Sequence, residues 1–244
     1  MPTTRAIQNF EANLGAIEQL VRFDDLLIEL MLPALERHRE RLVNAKVTSP
    51  RLLPDPLITT LKNIKRNESL KAHYQALYNQ WLVLLVSYFG SAVRDLFVDS
   101  VAAAIRANRD GPILKESIKA PIAELVEEHD DPAAFLADLL ASTEGISFQD
   151  MQSIGRAFGQ YFKVEVPRDA IVNDIVVAQA CRHAIVHAGG AVDRKMLRQL
   201  RDAQPRTLKP KLTLGERLSF SPAEIARASD AMRQHLARVA AGIV

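Results

Sequence analysis

The chain has 244 residues and a formal net charge of +2. That length supports one large or two small domains with a real hydrophobic core, and so small a charge excludes a polycation that coats nucleic acid, so any anion site must be a local patch. Hydrophobic residues make up 48% and charged residues 25%, as in an ordinary globular protein, and the few glycines and aromatics argue against a large all-β fold. The single cysteine, Cys181, excludes an intramolecular disulfide and a thiolate zinc cluster and fits a reducing compartment, so a cytoplasmic location is expected. The first 15 residues carry Glu11 and no apolar stretch, so no signal peptide is expected. The longest apolar run, Trp81 to Phe89, falls short of the about 20 residues that span a bilayer, so no membrane partner is expected.

Helical periodicity dominates from the start. Leu14, Ile17, Leu20, Val21, Leu27, Leu30 and Leu35 recur at helical spacing between about Thr4 and Lys46, with Pro33 expected to kink or divide the segment. Pro50, Pro54 and Pro56 mark a loop over Val47 to Asp55. A long helix is predicted from about Ser69 to Asn108. Its centre, Trp81 to Phe97, is apolar on nearly every face and belongs deep in the domain. Shorter helices are predicted over Ile113 to Glu128 and Pro132 to Ala141. Ser147, with Asp150 three residues on, predicts an N-cap and a helix over Phe148 to Phe162.

After Pro167 a helix runs to Ala188, where Gly189 and Gly190 stop it. Another is expected over Val192 to Ala203. Thr207 to Phe220 alternates around a Gly–Glu turn and reads as a short hairpin. Ser221, Pro222 and Glu224 form a capping signature for a last helix to about Ala241. The whole predicts an all-α bundle with extra N-terminal helices, divided into an N-terminal helical segment over 1–56 that packs on a main domain over 57–244.

The stretch richest in chemistry is Arg182-His183-Ala184-Ile185-Val186-His187-Ala188-Gly189-Gly190. Arginine presents a planar fork of donors suited to phosphate oxygens. Histidine can take or give a proton near neutral pH. Cleavage of RNA by its own 2′-hydroxyl needs a base for that proton and a cation for the charge growing on phosphorus oxygens. Arg182 and His187 supply both types, although five residues on an ideal helix leave them roughly 140° apart. A second Arg…His pairing, Arg66 with His73, lies in a polar stretch without an apolar flank or a glycine stop.

This stretch resembles the motif of the HEPN superfamily, an Arg followed after four to six residues by a His, commonly with an apolar residue just before the His and a glycine soon after. Arg182, Val186, His187 and Gly189 match, while His183 stands where many members carry Asn. Met151 to Val164, Ala170 to Ala180 and Leu212 to Val239 resemble, in that order, the ribosome-L-PSP-associated HEPN branch. The resemblance covers roughly the last 100 residues and does not reach the first 50.

The resemblance implies a HEPN-type helical bundle that pairs as a symmetric homodimer, with Arg and His of both subunits lining one cleft. It implies a metal-independent endoribonuclease, often a toxin or host-defence effector with an antitoxin or other protein partner. The alternative it leaves open is a catalytically inactive module that binds a protein partner or nucleotide.

Catalytic roles are therefore expected for Arg182 and His187, RNA as substrate, and no cofactor or metal. Supporting or RNA-binding roles are assigned to His183, taken as a helix neighbour that points elsewhere, and to Asp174, two turns before Arg182. The same holds for Arg94, beside Asp95 and Asp99 on the long helix. Arg194, Lys195 and Arg198 open a basic run that continues through Arg201, Arg206, Lys209, Lys211 and Arg217. The apolar residues Ile175, Ala178 and Ile185 are candidates for part of a dimer patch.

Overall fold

The computed structural model describes residues 3–21, 23–47, 49, 53–67, 71–108, 111–121, 124 and 130–243. Among them it is all-α, with nine α-helices and no strand. They are α1 (Thr3–Val21), α2 (Phe23–Asn44), α3 (Asp55–Asn67), α4 (Lys71–Arg106), α5 (Pro132–Ala141), α6 (Met151–Phe162), α7 (Ala170–His187), α8 (Arg194–Gln199) and α9 (Pro222–Gly242).

The apolar centre of the long helix fixes the architecture. Leu82, Leu85, Phe89, Val93, Leu96 and Phe97 of α4 are essentially inaccessible, and their spacing puts them on one broad face of the helix. That face is covered by α1, α5, α7 and α9, whereas Leu84, Ser87, Ser91 and Asp95 form an exposed strip on the opposite side, so the helix expected to lie deep on nearly every face is covered on one side only. By length and composition Gln75–Arg106 would suffice to cross a membrane, but half of its most apolar stretch is buried within the bundle. Phe97 anchors one end of the core, with ring centroids 5.4 Å from Phe148, 5.6 Å from Phe158 and Tyr161, and 5.7 Å from Phe162. Toward the other end Phe89 meets Phe10 of α1 at 6.4 Å and His235 of α9 at 5.9 Å. Ala6, Phe10, Leu14 and Ile17 of α1 thus belong to the same core as the C-terminal helices, and Arg233 ties α9 to Glu11 at 2.7 Å.

Several local expectations are corrected. Of the two outcomes expected at Pro33, division does not occur there: Pro33 lies inside α2, which packs mainly on α3, and the segment consists of α1, ending at Val21, and α2, starting at Phe23. No helix is expected over 55–67 from the sequence, yet α3 forms there, with Asp55 at its start. The predicted helix over Ile113 to Glu128 is not continuous: Ile113–Lys115 is a single 3-10 turn followed by irregular chain to 121, while Glu124 is helical, its N donating to Pro121 O at 3.1 Å. Pro121 can donate no helical hydrogen bond, and Glu116 is drawn away to accept from Tyr161 Oη at 3.0 Å. Residues 122, 123 and 125–129 of that call lie outside the described residues.

The cap of α6 is Asp150, whose carboxylate accepts from Ser153 N at 2.8 Å, and Ser147 instead accepts from Gln149 N in the preceding bend. Helix α8 stops at Gln199 rather than Ala203. Thr207 to Phe220 does not form a hairpin. Its partner is the turn after α7: Ala191 bridges Arg217, Val192 N donates to Glu216 O at 2.9 Å, and Leu218 N donates to Gly190 O at 2.8 Å. The capping box at Ser221 and Glu224 forms as expected.

Candidate functional site

Helix α7 carries the Arg…His stretch on its last turns. Asp169 caps its start by accepting from Val172 N at 3.0 Å. Its end comes at His187, because Gly189 and Gly190 adopt φ of 61° and 71°, a left-handed backbone that glycine enters at no steric cost. Gly190 N then donates to Ala184 O at 2.9 Å. Cys181 faces inward and is fully buried; burial pushes its thiol up to about 12, so it is an inert core residue.

Arg182 and His187 stand as the helix arithmetic requires. Arg182 is half-buried and lines a cavity of about 420 Å3 between α4, α7 and the loop 146–149. Ser87, Gly90, Ser91 and Arg94 of α4 line it too, with Ser147 and Gln149 opposite. Gly90 permits this close approach: a Cβ there would lie 3.3 Å from Phe148 O. Arg94 is partly engaged, donating to Asp138 Oδ1 at 2.8 Å. Arg182 has no hydrogen-bond or ion-pair partner among the described residues. Two guanidiniums, three hydroxyls and an amide surround this concavity, donor types that suit phosphate oxygens. Asp95 and Asp99 do not line it. Burial, followed by the charge of Asp95, raises the Asp99 carboxyl above its ordinary value.

His187 is exposed and lies outside that cavity. What it meets is His183, at a ring-centroid separation of 4.9 Å with the planes inclined by 49°. His183 therefore does not point elsewhere, and a spacing of four residues, one helical turn, was the signal that could have paired it with His187. The side chains of the rival pair, Arg66 and His73, lie outside the described residues.

Asp174 is not at the site. It is buried, and its carboxylate accepts from Thr207 N at 2.7 Å, Leu208 N at 2.8 Å and the Thr207 hydroxyl. Its role is to anchor the returning chain, with Asn173 Nδ2 donating to Pro205 O at 2.9 Å beside it. Ile175 and Ala178 are equally unavailable to a dimer patch, since both are fully buried within the chain; Ile185 is half-buried and Val186 is 46% exposed.

The basic run splits into two groups. Arg206 donates to Leu200 O and Lys209 O, and Lys209 pairs with Glu224 at 2.8 Å and lies over the Phe220 ring, so both serve the fold. Arg201 pairs with Asp202 on the surface. Arg194, Lys195 and Arg198 of α8 are exposed and carry no ion pair among the described residues, as do Lys211 and Arg217.

A larger bay of about 660 Å3 lies between α6 and the first half of α7, and it contains none of Arg182, His183 or His187. Among the described residues no three metal-ligating side chains converge. No protein-family model matches the chain, and no curated protein and no solved structure matches it.

Proposed function

We propose that the chain is a cytoplasmic, metal-independent endoribonuclease of the HEPN type, acting as a toxin or host-defence effector. The observation that carries this reading is the state of the last turns of α7. Arg182 and His187 have no hydrogen-bond or ion-pair partner among the described residues, and Arg182 shares a donor-lined cavity with Arg94. In the reaction His187 takes the proton of a ribose 2′-hydroxyl, and the oxygen attacks the adjacent phosphorus. The P–O5′ bond breaks, and the leaving 5′-oxygen acquires a proton. Arg182, with Arg94, neutralises the phosphoryl oxygens. The products are a 2′,3′-cyclic phosphate and a 5′-hydroxyl. In-line attack needs a flexible backbone, which favours single-stranded or loop RNA over A-form duplex.

Within one chain the base stands outside the anion cavity. A two-fold homodimer about the end of α7 would bring the base of one copy toward the cavity of the other. Ile185 and Val186 are the apolar side chains left for that contact. The exposed Arg194, Lys195 and Arg198 would guide RNA phosphates, so binding weakens with salt. The same separation favours a second reading: the cavity holds a nucleotide phosphate or a regulatory ligand and no bond is broken.

One experiment divides them. Purified protein is incubated with mixed RNA in excess EDTA and the new ends are identified. Cleavage with cyclic-phosphate ends, lowered about 100-fold by His187→Ala, is the expected result. Products ending in 3′-hydroxyl, or activity that returns only with magnesium, overturn the mechanism. No cleavage of any RNA, with nucleotide binding lost in Arg182→Ala, establishes the second reading.

A further inference from the structure

His183 and His187 are four residues apart on α7, both exposed, with ring centroids 4.9 Å apart. Neither ring has a hydrogen bond or ion pair among the described residues, so no protein group competes for the lone pair that each neutral imidazole offers. The spacing places both rings on one face, about 40° apart around a helix that is held rigidly by the core beneath it. Imidazole nitrogens bind first-row ions at about 2.0–2.1 Å, which requires two donors on one ion to lie about 3 Å apart. Rings already 4.9 Å apart between centres reach that with small side-chain rotations. Imidazole suits Zn2+ and Cu2+, whereas Mg2+ prefers oxygen donors.

The geometry points to a transition-metal site at His183 and His187, a bidentate chelate for Zn2+ or Cu2+ that switches off the end of α7 when occupied. No third ligand joins them among the described residues, so the ion keeps open positions for water and exchanges readily. Cys181, fully buried, is no candidate. The inhibitory consequence rests on the ribonuclease reading; the metal binding does not. A neutral imidazole that gives one lone pair to a metal carries its proton on the other nitrogen. His187 would then have no free lone pair to accept the 2′-hydroxyl proton. Transition metals would inhibit an enzyme that needs no metal for its chemistry.

The test is calorimetric titration of the full chain with ZnCl2, CuCl2 and MgCl2 near neutral pH, for the native protein and for His183→Ala and His187→Ala. Circular dichroism checks that all three are folded. The expected result is one Zn2+ per chain, tighter binding of Cu2+, and no detectable Mg2+ binding. Each single variant should weaken Zn2+ binding at least about tenfold, because the second donor acts at high effective concentration. Undiminished Zn2+ binding in either variant, or none in the native chain, overturns the site. Cleavage assays with and without saturating Zn2+ test the consequence: cleavage that persists at saturation overturns the inhibition while leaving the site. Zn2+ binding by a chain that cuts no RNA removes the ribonuclease reading instead.

Discussion

The first half of α7 and its last turns hold similar side chains under opposite conditions. In the first half, Asp169 caps the helix and pairs with Arg238, and Asn173 and Asp174 hold the chain around Pro205 to Leu208. In the last turns, Arg182, His183 and His187 have no hydrogen-bond or ion-pair partner among the described residues. A buried polar group must be paired, because water is not there to replace the partner. A side chain at the surface is under no such demand. The polar groups of the first half are therefore committed to the fold, and those at the end remain available to a ligand.

The comparison breaks first, and with the largest expected effect, at Asp174. Asp174→Ala removes three hydrogen bonds to a buried carboxylate and leaves the amides of Thr207 and Leu208 without their acceptor. A loss of about 4 kcal/mol of unfolding free energy is expected, measured by urea denaturation. If Asp174→Ala unfolds with near-native stability, the division of α7 into a structural and an available half is wrong.

This anchor also shows where sequence reasoning stops. The capping box at Ser221, the glycine stop at 189–190 and the apolar core-facing side of α4 are local signals, and each is legible because a few neighbouring residues decide it. The angular separation of Arg182 and His187 follows from helix arithmetic alone. Asp174 looked like a site residue because it lies about two turns before Arg182. Its real partners are 33 and 34 residues away, on a loop whose return no local pattern announces. The cavity shared by Arg94 and Arg182 is invisible for the same reason: it exists only because α4, α7 and the loop 146–149 meet. The bridge between Ala191 and Arg217 likewise replaced a hairpin that alternation alone suggested.

A smaller effect sharpens the comparison by showing what a buried and unpartnered group costs. His235 of α9 is 1% exposed and neither ring nitrogen has a hydrogen-bond partner. Burial, helped by the nearby Arg238 charge and opposed by Asp169, holds it down to about 4. In the folded chain it stays neutral, while the unfolded chain takes up a proton below about 6.5. Its contribution to stability is therefore complete above about pH 6.5 and is lost as the pH falls toward 4, at about 1.4 kcal/mol per pH unit. Between pH 7.5 and 5 the native protein should lose about 2 kcal/mol more than His235→Leu. Urea unfolding of both proteins across that range checks it, and parallel profiles would refute the assignment.

The smallest effect is expected where the comparison predicts almost none. His183→Ala and His187→Ala remove exposed rings that, among the described residues, make a ring contact with each other and no hydrogen bond or ion pair. Alanine is the better helix former by about 0.6 kcal/mol, which offsets the loss of a weak ring–ring contact and of any attraction between a cationic ring and the helix terminus. Each variant should therefore unfold within about 0.5 kcal/mol of the native chain in urea at pH 7.5, and its circular dichroism should be unchanged. This near-null result has consequences for function. If both variants keep the fold, any loss of RNA cleavage or of Zn2+ binding belongs to the imidazoles themselves. A destabilisation above about 2 kcal/mol from either one would instead place that histidine with Asp174 among the side chains the fold requires, and the availability of the end of α7 would be lost with it.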